Sequence, residues 1–318
     1  MIDPDATRHH HPGAAAPVPM TGGFSVRLNP AGKATRKRNK LVKKIERTWL
    51  AFRYFLRNRF SSDPVCAPGG VTVSLTSHST RTERVYLAIE SIAAGLEKPG
   101  RLILWLDDAG IFDHLPASLQ RLQNRGLEIR LCRNYGPHTK YYPFLEHEEI
   151  EGVLVTADDD SFYPPTWLKR LHESHRATPE TVVAYKALRV RIADGRIEPY
   201  LNWRFCLEEE ASFRNFALGV GGVIYPADFL RRLKAAGTAF TACCPRHDDV
   251  WLHATAVRQG YRVRQISNDV NHFPLVPGTQ RIGLKNVNKI GGNDLAISQT
   301  YRTADILKMQ GGDAPARA

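Results

Sequence analysis

Residues 153–168 read VLVTADDDSFYPPTWL, and this stretch carries the strongest fold signal in the chain. An apolar run ends abruptly in three consecutive acids, Asp158, Asp159 and Asp160. Adjacent carboxylates repel one another, so the triplet costs free energy unless a cation or hydrogen bonds offset it. Aromatic residues and a Pro-Pro pair follow and indicate the start of a helix. The stretch therefore predicts a buried strand with an acidic loop at its carboxyl end.

The acidic strand belongs to a series of short apolar runs that alternate with helical patterns. We predict strands at 71–77, 101–108, 127–132, 152–157 and 181–190, with helices at 82–95, 115–126, 138–148 and 164–175. This alternation is typical of an α/β fold, a three-layer α/β/α sandwich with a mostly parallel central sheet. Such sheets bind ligands at the carboxyl ends of their strands. Asp107 and Asp108 also lie at such an end.

Charge is concentrated in one segment of the 318-residue chain. The net charge is +12, but residues 33–59 hold eleven basic side chains and one acid, which leaves only +2 for the remainder. We therefore expect no nucleic-acid partner. The five Cys form no CxxC pair, and the N-terminus lacks the apolar core of a signal peptide, so the sequence favours a cytoplasmic protein.

The basic segment has an amphipathic helical pattern that precedes the sheet domain. Leu41, Ile45, Trp49, Phe52 and Leu56 recur at helical spacing among Lys and Arg residues. Residues 33–60 therefore form either a helix at a membrane surface, at the inner face of the cell membrane, or a helix packed on the domain. The sequence divides into a disordered tail (1–32), this helix and a linker (33–69), a catalytic domain (70–302) and a C-terminal tail (303–318).

The acid triplet suits a hard divalent cation. Asp oxygens are ligands that Mg²⁺ and Mn²⁺ prefer, usually in company with substrate phosphates. The alternative is a solvated loop, because Asp is common after strands. A buried strand on one side and an aromatic-Pro helix start on the other favour the metal site over the loop.

The order of these features resembles the GT-A-fold nucleotide-sugar glycosyltransferases of the family 2 type, over roughly residues 70–272. VTADDD is similar to the DxD motif of that family. The resemblance implies that Asp158 and Asp160 bind Mn²⁺ or Mg²⁺, and that Asp158 also faces the nucleotide sugar. Asp159 takes the variable middle position of the motif and is assigned to the nucleotide-sugar site with it.

The resemblance extends to the edge where the donor nucleotide would bind. Thr76, Ser77 and Arg81 follow the first strand and correspond to the nucleotide-binding edge, and Asp107 or Asp108 corresponds to the acid that contacts the base or ribose. Lys140 lies after a strand and at the opening of a helix, where a phosphate or sugar can sit. A solvent-exposed lysine is the alternative for Lys140.

A second acidic pair occurs in CCPRHDDVWLHATAVRQGY, residues 243–261. Its periodicity predicts a helix that Asp248 or Asp249 caps. In the family that the chain resembles, the second acid of such a pair is often the general base, and Asp249 matches that acid. A plain helix cap is the alternative. His272 is similar to a late histidine that completes the metal site in many members.

These expectations together describe a metal-dependent glycosyltransferase that acts on a nucleotide-sugar donor and a glycan or lipid-linked acceptor, in cell-surface polysaccharide or glycolipid synthesis. Two alternatives remain open. A sugar-phosphate nucleotidyltransferase also uses clustered Asp and Mg²⁺, but residues 77–84 contain no Gly for a phosphate loop. A non-catalytic carbohydrate- or membrane-binding module would use the basic helix and not need the acids.

Overall fold

The computed structural model describes residues 30–268, 273–279 and 292–312, with side chains from residue 41 onward. The chain divides into two compact units, residues 1–42 and 43–318. His272 lies outside the described residues, so its assignment stays a prediction.

A helix of 31 residues, α1 (Pro30–Phe60), precedes the first strand, as the amphipathic pattern predicts. The strands of the larger unit are β1 (Thr72–Thr76), β2 (Arg101–Leu106), β3 (Glu128–Leu131), β4 (Leu154–Thr156), β5 (Val182–Ala184), β6 (Ala187–Arg189), β7 (Ile192–Ala193), β8 (Arg196–Ile197), β9 (Arg204–Phe205), β10 (Asn215–Ala217), β11 (Val223–Tyr225) and β12 (Val263–Gln265). The helices are α2 (Val85–Ala93), α3 (Ala109–Asp113), α4 (Ala117–Gln123), α5 (Tyr142–His147), α6 (Trp167–Ala177), α7 (Ala227–Ala236), α8 (Phe240–Cys243), α9 (Asp248–Gln259), α10 (Asn293–Thr300) and α11 (Thr303–Gly311).

Within the described residues, seven strands form the central sheet in the order β12-β5-β11-β4-β1-β2-β3. β1 runs parallel to β2 and to β4, with Val73 opposite Leu102 on one side and Val155 on the other. Only β11 runs against its neighbours, between β4 and β5. The predicted α/β fold with a mostly parallel sheet is therefore confirmed.

Helices cover both faces of the sheet because its strands are apolar on both sides. Along β2, Ile103 and Trp105 belong to one buried cluster, and Leu102 and Leu104 belong to the other. Successive side chains of a strand point to opposite faces, so this one strand supplies both cores. All four of these side chains are buried.

Two predicted elements differ from the observed ones. The strand predicted over 181–190 is interrupted at Tyr185 and Lys186, and its second half, β6, leaves the central sheet to pair with β9 and β10. Gln265 assists this break, because its side-chain oxygen accepts the Ala187 amide hydrogen at 2.8 Å. The helix predicted over 138–148 is a 3₁₀ turn (Gly136–Lys140) followed by α5.

The last two helices pack on α9. Arg258 of α9 forms an ion pair with Asp305 of α11 at 2.9 Å, and Lys308 donates to the Val257 carbonyl at 3.0 Å. In the part of the chain that the structure describes, none of the helices combines the length and apolarity needed to cross a membrane.

Candidate active site

The acid triplet lies in the loop after β4, at the carboxyl edge of the parallel strands. Asp159 is buried, and its carboxylate accepts from the Ser77 hydroxyl at 2.7 Å. Arg81 forms an ion pair with Asp159 and reaches Asp160 Oδ2 at 2.8 Å with the same nitrogen. Residues after β1 and β4 therefore meet, as expected for neighbouring parallel strands.

Charge in this loop is only partly balanced. Burial raises the pKa of Asp159 to about 6, even though Arg81 and Ser77 favour its ionised form. Burial also raises the pKa of Asp158, against the opposing effect of Lys140. Both shifts show that the loop holds its carboxylates in a setting less favourable to negative charge than water.

Lys140 connects the acid triplet to a second acidic segment. Its ammonium nitrogen lies 3.3 Å from Asp158 Oδ1 and 3.2 Å from Asp248 Oδ2. Burial acts to lower the pKa of Lys140, but the neighbouring carboxylates, Asp248 first, outweigh it and hold the pKa well above its ordinary value. Lys140 is therefore a charged bridge between two parts of the chain, and the solvent-exposed alternative does not apply.

Backbone contacts fix the position of Lys140. Its carbonyl accepts from the Ser74 hydroxyl at 2.7 Å, and the Ser74 oxygen accepts from the Trp105 indole at 3.0 Å. Ser74 is on β1 and Trp105 is on β2, so the lysine is anchored to the centre of the sheet. A small polar residue inside an apolar strand was the sequence signal for this anchor.

The second acidic segment is the first turn of α9. Asp248 is buried and Asp249 is half-buried, and both lie where the helix dipole favours negative charge. The helix cap is His247, so the prediction that an aspartate caps α9 is wrong by one residue. Because α9 begins at Asp248, the two acids are free of the capping role and face Lys140 and Gly219.

Gly219 holds Asp249 in place. Its amide donates to Asp249 Oδ1 at 3.0 Å. A Cβ atom at position 219 would lie 3.0 Å from the Lys140 ammonium and 3.2 Å from that Asp249 oxygen, which explains why glycine fits here. Burial, and then the neighbouring Asp248, raise the pKa of Asp249 above its ordinary value.

His138 was missed by the sequence reasoning, although it lies two residues before Lys140. Its Nε2 donates to the Cys244 carbonyl at 2.9 Å, and its Nδ1 accepts from the Tyr141 hydroxyl at 2.8 Å. The ring stacks on Phe240 with centroids 4.0 Å apart. Burial lowers its pKa, so the neutral ring joins the Lys140 segment to the segment that leads into α9.

Three predicted nucleotide-site residues, Thr76, Asp107 and Asp108, lie at the carboxyl ends of β1 and β2, and two of them have local hydrogen-bond partners. Asp108 is exposed and caps α3, where it accepts from the Ile111 amide at 3.1 Å. The Thr76 hydroxyl donates to the Trp105 carbonyl at 3.1 Å. Asp107 is half-buried and directly follows β2, at the same edge of the sheet as the acidic loop. The structure therefore places these residues at the edge of the sheet where β1 and β2 end, the edge that also carries the acidic loop.

We call Asp158, Asp159, Asp160, Asp248 and Asp249, with Lys140 and Arg81, the acid cluster. Among the described residues, it contains five carboxylates and two bridging cations, a formal charge of −3 when all are ionised. No three His, Cys, Asp or Glu side chains in the described ranges are already arranged as a metal site. The charge deficit and the hard oxygen donors nevertheless fit a divalent cation at Asp158 and Asp160.

A pocket of about 410 Å³ opens on the same two segments that carry Lys140 and Asp248. This volume falls within the range of small-molecule sites, roughly 300–1,000 Å³. The pocket is lined by Arg133, Asn134, Tyr135, Gly136, Thr238, Phe240, Thr241, Pro245 and Arg246. Its two arginines and two threonines provide charged and polar contacts, and Tyr135 and Phe240 provide buried aromatic surface.

Comparison with known proteins gives structural likeness only. No protein-family model and no curated protein matches the chain. A structure of S. aureus TarS 1-349 matches with a TM-score of 0.41 and 14% identity, over 63% of this chain and 58% of that chain. A mannosyltransferase, PcManGT from Pyrobaculum calidifontis in complex with GDP-Man and Mn²⁺, matches with a TM-score of 0.45 and 14% identity, over 87% of each chain. At these scores, the function has to be argued from this chain's own residues.

Proposed function

We propose that the chain is a metal-dependent glycosyltransferase that moves a sugar from a nucleotide-diphosphate sugar to a glycan or lipid-linked acceptor. The observation that carries the proposal is the Lys140 bridge. It brings the acidic loop after β4 and the acidic first turn of α9 to one place at the carboxyl edge of the sheet. A structural role alone would not require five carboxylates with so few cations.

The donor side of the site is the acidic loop with its two cations. Asp158 and Asp160 would hold Mn²⁺ or Mg²⁺, which would supply a Lewis acid to offset charge on the leaving diphosphate. Arg81 and Lys140 would face the same phosphates, and each would exchange a carboxylate partner for a phosphate. Ser77 orients Asp159, and Thr76 and Asp107 or Asp108 lie along the edge assigned to the nucleotide.

The acceptor side is Asp249. A raised pKa makes its carboxylate a better base, and the Gly219 amide fixes one of its oxygens. Asp249 would take the proton of the acceptor hydroxyl as that oxygen bonds to the anomeric carbon. The bond from that carbon to the phosphate oxygen breaks, and the nucleoside diphosphate leaves with the electron pair. Asp248 stays paired with Lys140 and supports this arrangement.

This role for Asp249 has a stereochemical consequence. Attack by a base-activated hydroxyl on the anomeric carbon inverts its configuration, so a transferred sugar is expected to change anomer. The anomeric proton coupling of the product in NMR reports the outcome. A product with retained configuration would remove Asp249 from the role of base and assign it to substrate binding.

The acceptor is the least constrained partner. The pocket of about 410 Å³ beside the acid cluster has room for a sugar unit, and its arginines would favour an acceptor that carries negative charge. A lipid-linked or surface-polysaccharide acceptor agrees with the exposed apolar side chains of α1. Synthesis of a cell-surface polysaccharide or glycolipid, by a protein at the inner face of the membrane, is the setting that we propose.

The test is a panel of nucleotide sugars incubated with Mn²⁺ or Mg²⁺ and monitored for nucleotide release, with and without oligosaccharide and lipid-phosphate acceptors. We expect at least one donor to be consumed, and Asp160→Asn to abolish its consumption. Asp228→Asn is the matched control, because Asp228 is an exposed aspartate on α7 and does not belong to the acid cluster. A second set of reactions contains a nucleoside triphosphate and a sugar 1-phosphate, and release of pyrophosphate there, with formation of the nucleotide sugar, would indicate a nucleotidyltransferase.

A further inference from the structure

Helix α1 contacts the rest of the larger unit through the side that carries Tyr54 and Asn58, on which Leu50 and Ala51 are also partly buried. Tyr54 and Asn58 are 3% and 2% exposed, and the Tyr54 ring stacks on Phe162 with centroids 5.7 Å apart. Arg47, two turns earlier, donates from Nε to the Leu275 carbonyl at 2.6 Å. Asn58 donates to Glu90 at 3.1 Å. These contacts are spaced seven and four residues apart, so they occupy one side of the helix.

The apolar side chains of α1 lie on the opposite side. A helix turns by about 100° per residue, and this rotation places the exposed apolar residues in one row facing away from Tyr54 and Asn58. We call this row the outer stripe; it consists of Ile45, Trp49, Phe52, Phe55, Leu56 and Phe60. Trp49 is 55% exposed, Phe52 58% and Phe60 75%. Surface helices normally bury their row of large apolar side chains, whereas α1 leaves this row exposed.

Exposure of one apolar side chain is ordinary, but a contiguous row marks an interaction site. The six residues of the outer stripe span fifteen positions, about 22 Å of helix at a rise of roughly 1.5 Å per residue. Three of the six are phenylalanine and one is tryptophan. Aromatic side chains of this kind are enriched where protein meets the boundary between lipid headgroups and acyl chains.

Positive charge accompanies the outer stripe. Lys43, Lys44, Arg53 and Arg59 are exposed along the same length of helix, and Glu46 is the one acid among them. The Arg53 guanidinium lies 5.5 Å from the centroid of the Trp49 ring. Residues 33–59 as a whole carry +10.

We propose that the outer stripe is a docking site for an anionic lipid surface. An anionic bilayer offers both things that the stripe requires: apolar depth for Trp49, Phe52 and Phe60, and negative headgroups for the flanking lysines and arginines. A second copy of this chain offers only the first. Pairing two outer stripes would bring two strongly basic helices together, and like charges oppose that contact.

A short series of contacts connects α1 to the acid cluster. Tyr54 stacks on Phe162, whose amide donates to the Pro274 carbonyl at 2.8 Å, and the Val276 amide donates to the Asp160 carbonyl at 2.8 Å. Contact with lipid would therefore hold the acidic loop at a fixed distance from the bilayer, within reach of a lipid-linked acceptor. This last step rests on the proposed transferase function, whereas the docking itself does not.

The test is vesicle flotation of the full chain. Vesicles of phosphatidylcholine alone are compared with vesicles containing about 30% phosphatidylserine or phosphatidylglycerol, at low and high salt. We expect flotation with the anionic vesicles only, weakened by salt. The double variant W49S/F52S should lose roughly tenfold or more of its partitioning, because both side chains are exposed and supply apolar contact. The control is L295S/L307S, which removes two side chains of similar exposure, 60% and 62%.

Several results would overturn the proposal. Equal flotation of wild type and W49S/F52S, with an unchanged unfolding midpoint for the variant, would show that the outer stripe does not bind lipid. Light scattering that finds a dimer, converted to a monomer by W49S/F52S, would assign the stripe to a second copy. Flotation that persists while every nucleotide sugar stays intact would support the docking site and count against the transferase.

Discussion

Two of the clusters in which the larger unit buries charge differ in how that charge is balanced. In one, Glu90 of α2 is fully buried and meets two guanidiniums, with Arg125 at 3.1 Å and Arg57 at 3.2 Å from Glu90 Oε2. Asn58 donates to the other carboxylate oxygen at 3.1 Å. We call this group the Glu90 cluster. In the acid cluster, five carboxylates share two cations.

This difference is what we expect between a structural group and the proposed functional site. In the Glu90 cluster the two guanidiniums are balanced by Glu90 and by Asp63, which lies 3.4 Å from Arg57, and each Glu90 oxygen accepts a hydrogen bond. The cluster joins α1, α2 and the segment that follows α4. Nothing further needs to bind there. The acid cluster has a deficit of positive charge, and the pKa values of Asp159 and Asp249 are raised. A divalent cation and a diphosphate donor would complete a site of this kind, so removal of one carboxylate should have opposite consequences in the two places.

The largest expected effect is on activity at Asp249. The variant Asp249→Asn keeps an oxygen for the Gly219 amide but loses the base, so transfer should fall by about 10²–10⁴-fold. The free energy of unfolding should not fall, because one repelling charge is removed from a carboxylate-rich cluster. Nucleotide release and urea denaturation measure the two quantities. An Asp249→Asn protein with full activity would break the assignment of a base at this position.

The Glu90 cluster should respond in the opposite way. Glu90→Gln leaves the buried Arg125 guanidinium against a neutral partner, while Arg57 keeps only its pair with the exposed Asp63. Removal of one member of such a buried pair costs about 3–5 kcal/mol. We expect the free energy of unfolding to fall by that amount while the substrate KM of the surviving folded protein stays unchanged. Glu173→Gln is the control, because its exposed pair with Lys169 spans 3.8 Å and should contribute less than about 1 kcal/mol. Similar losses in the two variants would contradict the comparison.

The contrast also shows what the sequence could reveal. Alternating apolar runs predicted the strands, and acids at two strand ends predicted an edge rich in carboxylates. Both followed from local pattern, because β1, β2 and β4 are parallel neighbours whose carboxyl ends must meet. Glu90 had a local signal too: it is an acid within the otherwise apolar helix VYLAIESIA, which indicates a buried charge with a partner.

Long-range pairing had no such signal. Lys140 and Asp248 lie 108 positions apart in the sequence, and no pattern in either segment indicates their contact. The break in the strand over 181–190 depends on the side chain of Gln265, which lies 78 positions from Ala187. The side of α1 that packs on the domain could not be predicted from the sequence either. The apolar periodicity of α1 predicts burial of the outer stripe, which the structure leaves exposed. Tertiary hydrogen bonds from Arg47 and Asn58, with the stacking of Tyr54 on Phe162, decide that orientation, and local propensity does not report these contacts.

A buried group that is neutral provides a third case, in which the contribution to stability depends on pH. His253 is buried, and burial lowers its pKa to about 4. Its Nε2 donates to the Phe213 carbonyl at 3.0 Å, and its Nδ1 accepts from the Tyr301 hydroxyl. Protonation is therefore disfavoured in the folded state, and the stabilising effect is fully present above the unfolded pKa of about 6.5 and lost as pH falls towards 4.

The size of this effect follows from the shift. A difference of about 2.5 pKa units corresponds to about 3 kcal/mol, of which about 2 kcal/mol should be lost by pH 5. Urea denaturation at pH 7 and pH 5 measures the loss in wild type and in His253→Asn. The variant should be less stable at pH 7, yet it should lose less on acidification. An identical pH dependence in the two proteins would place the titrating group elsewhere.

The smallest effect is expected in a charged network that faces solvent. Arg101 and Arg130 join Glu128 and Glu148 across β2, β3 and α5, with Arg130 at 2.6 Å and Arg101 at 2.7 Å from Glu128. Both arginines are 36% exposed, so water and salt already solvate them. Arg130→Gln should lower the free energy of unfolding by less than about 1 kcal/mol, and the loss should shrink further at high salt because Arg101 still pairs with both glutamates. A salt-insensitive loss as large as that of Glu90→Gln would show that the network behaves as buried charge, and that exposure does not distinguish the two.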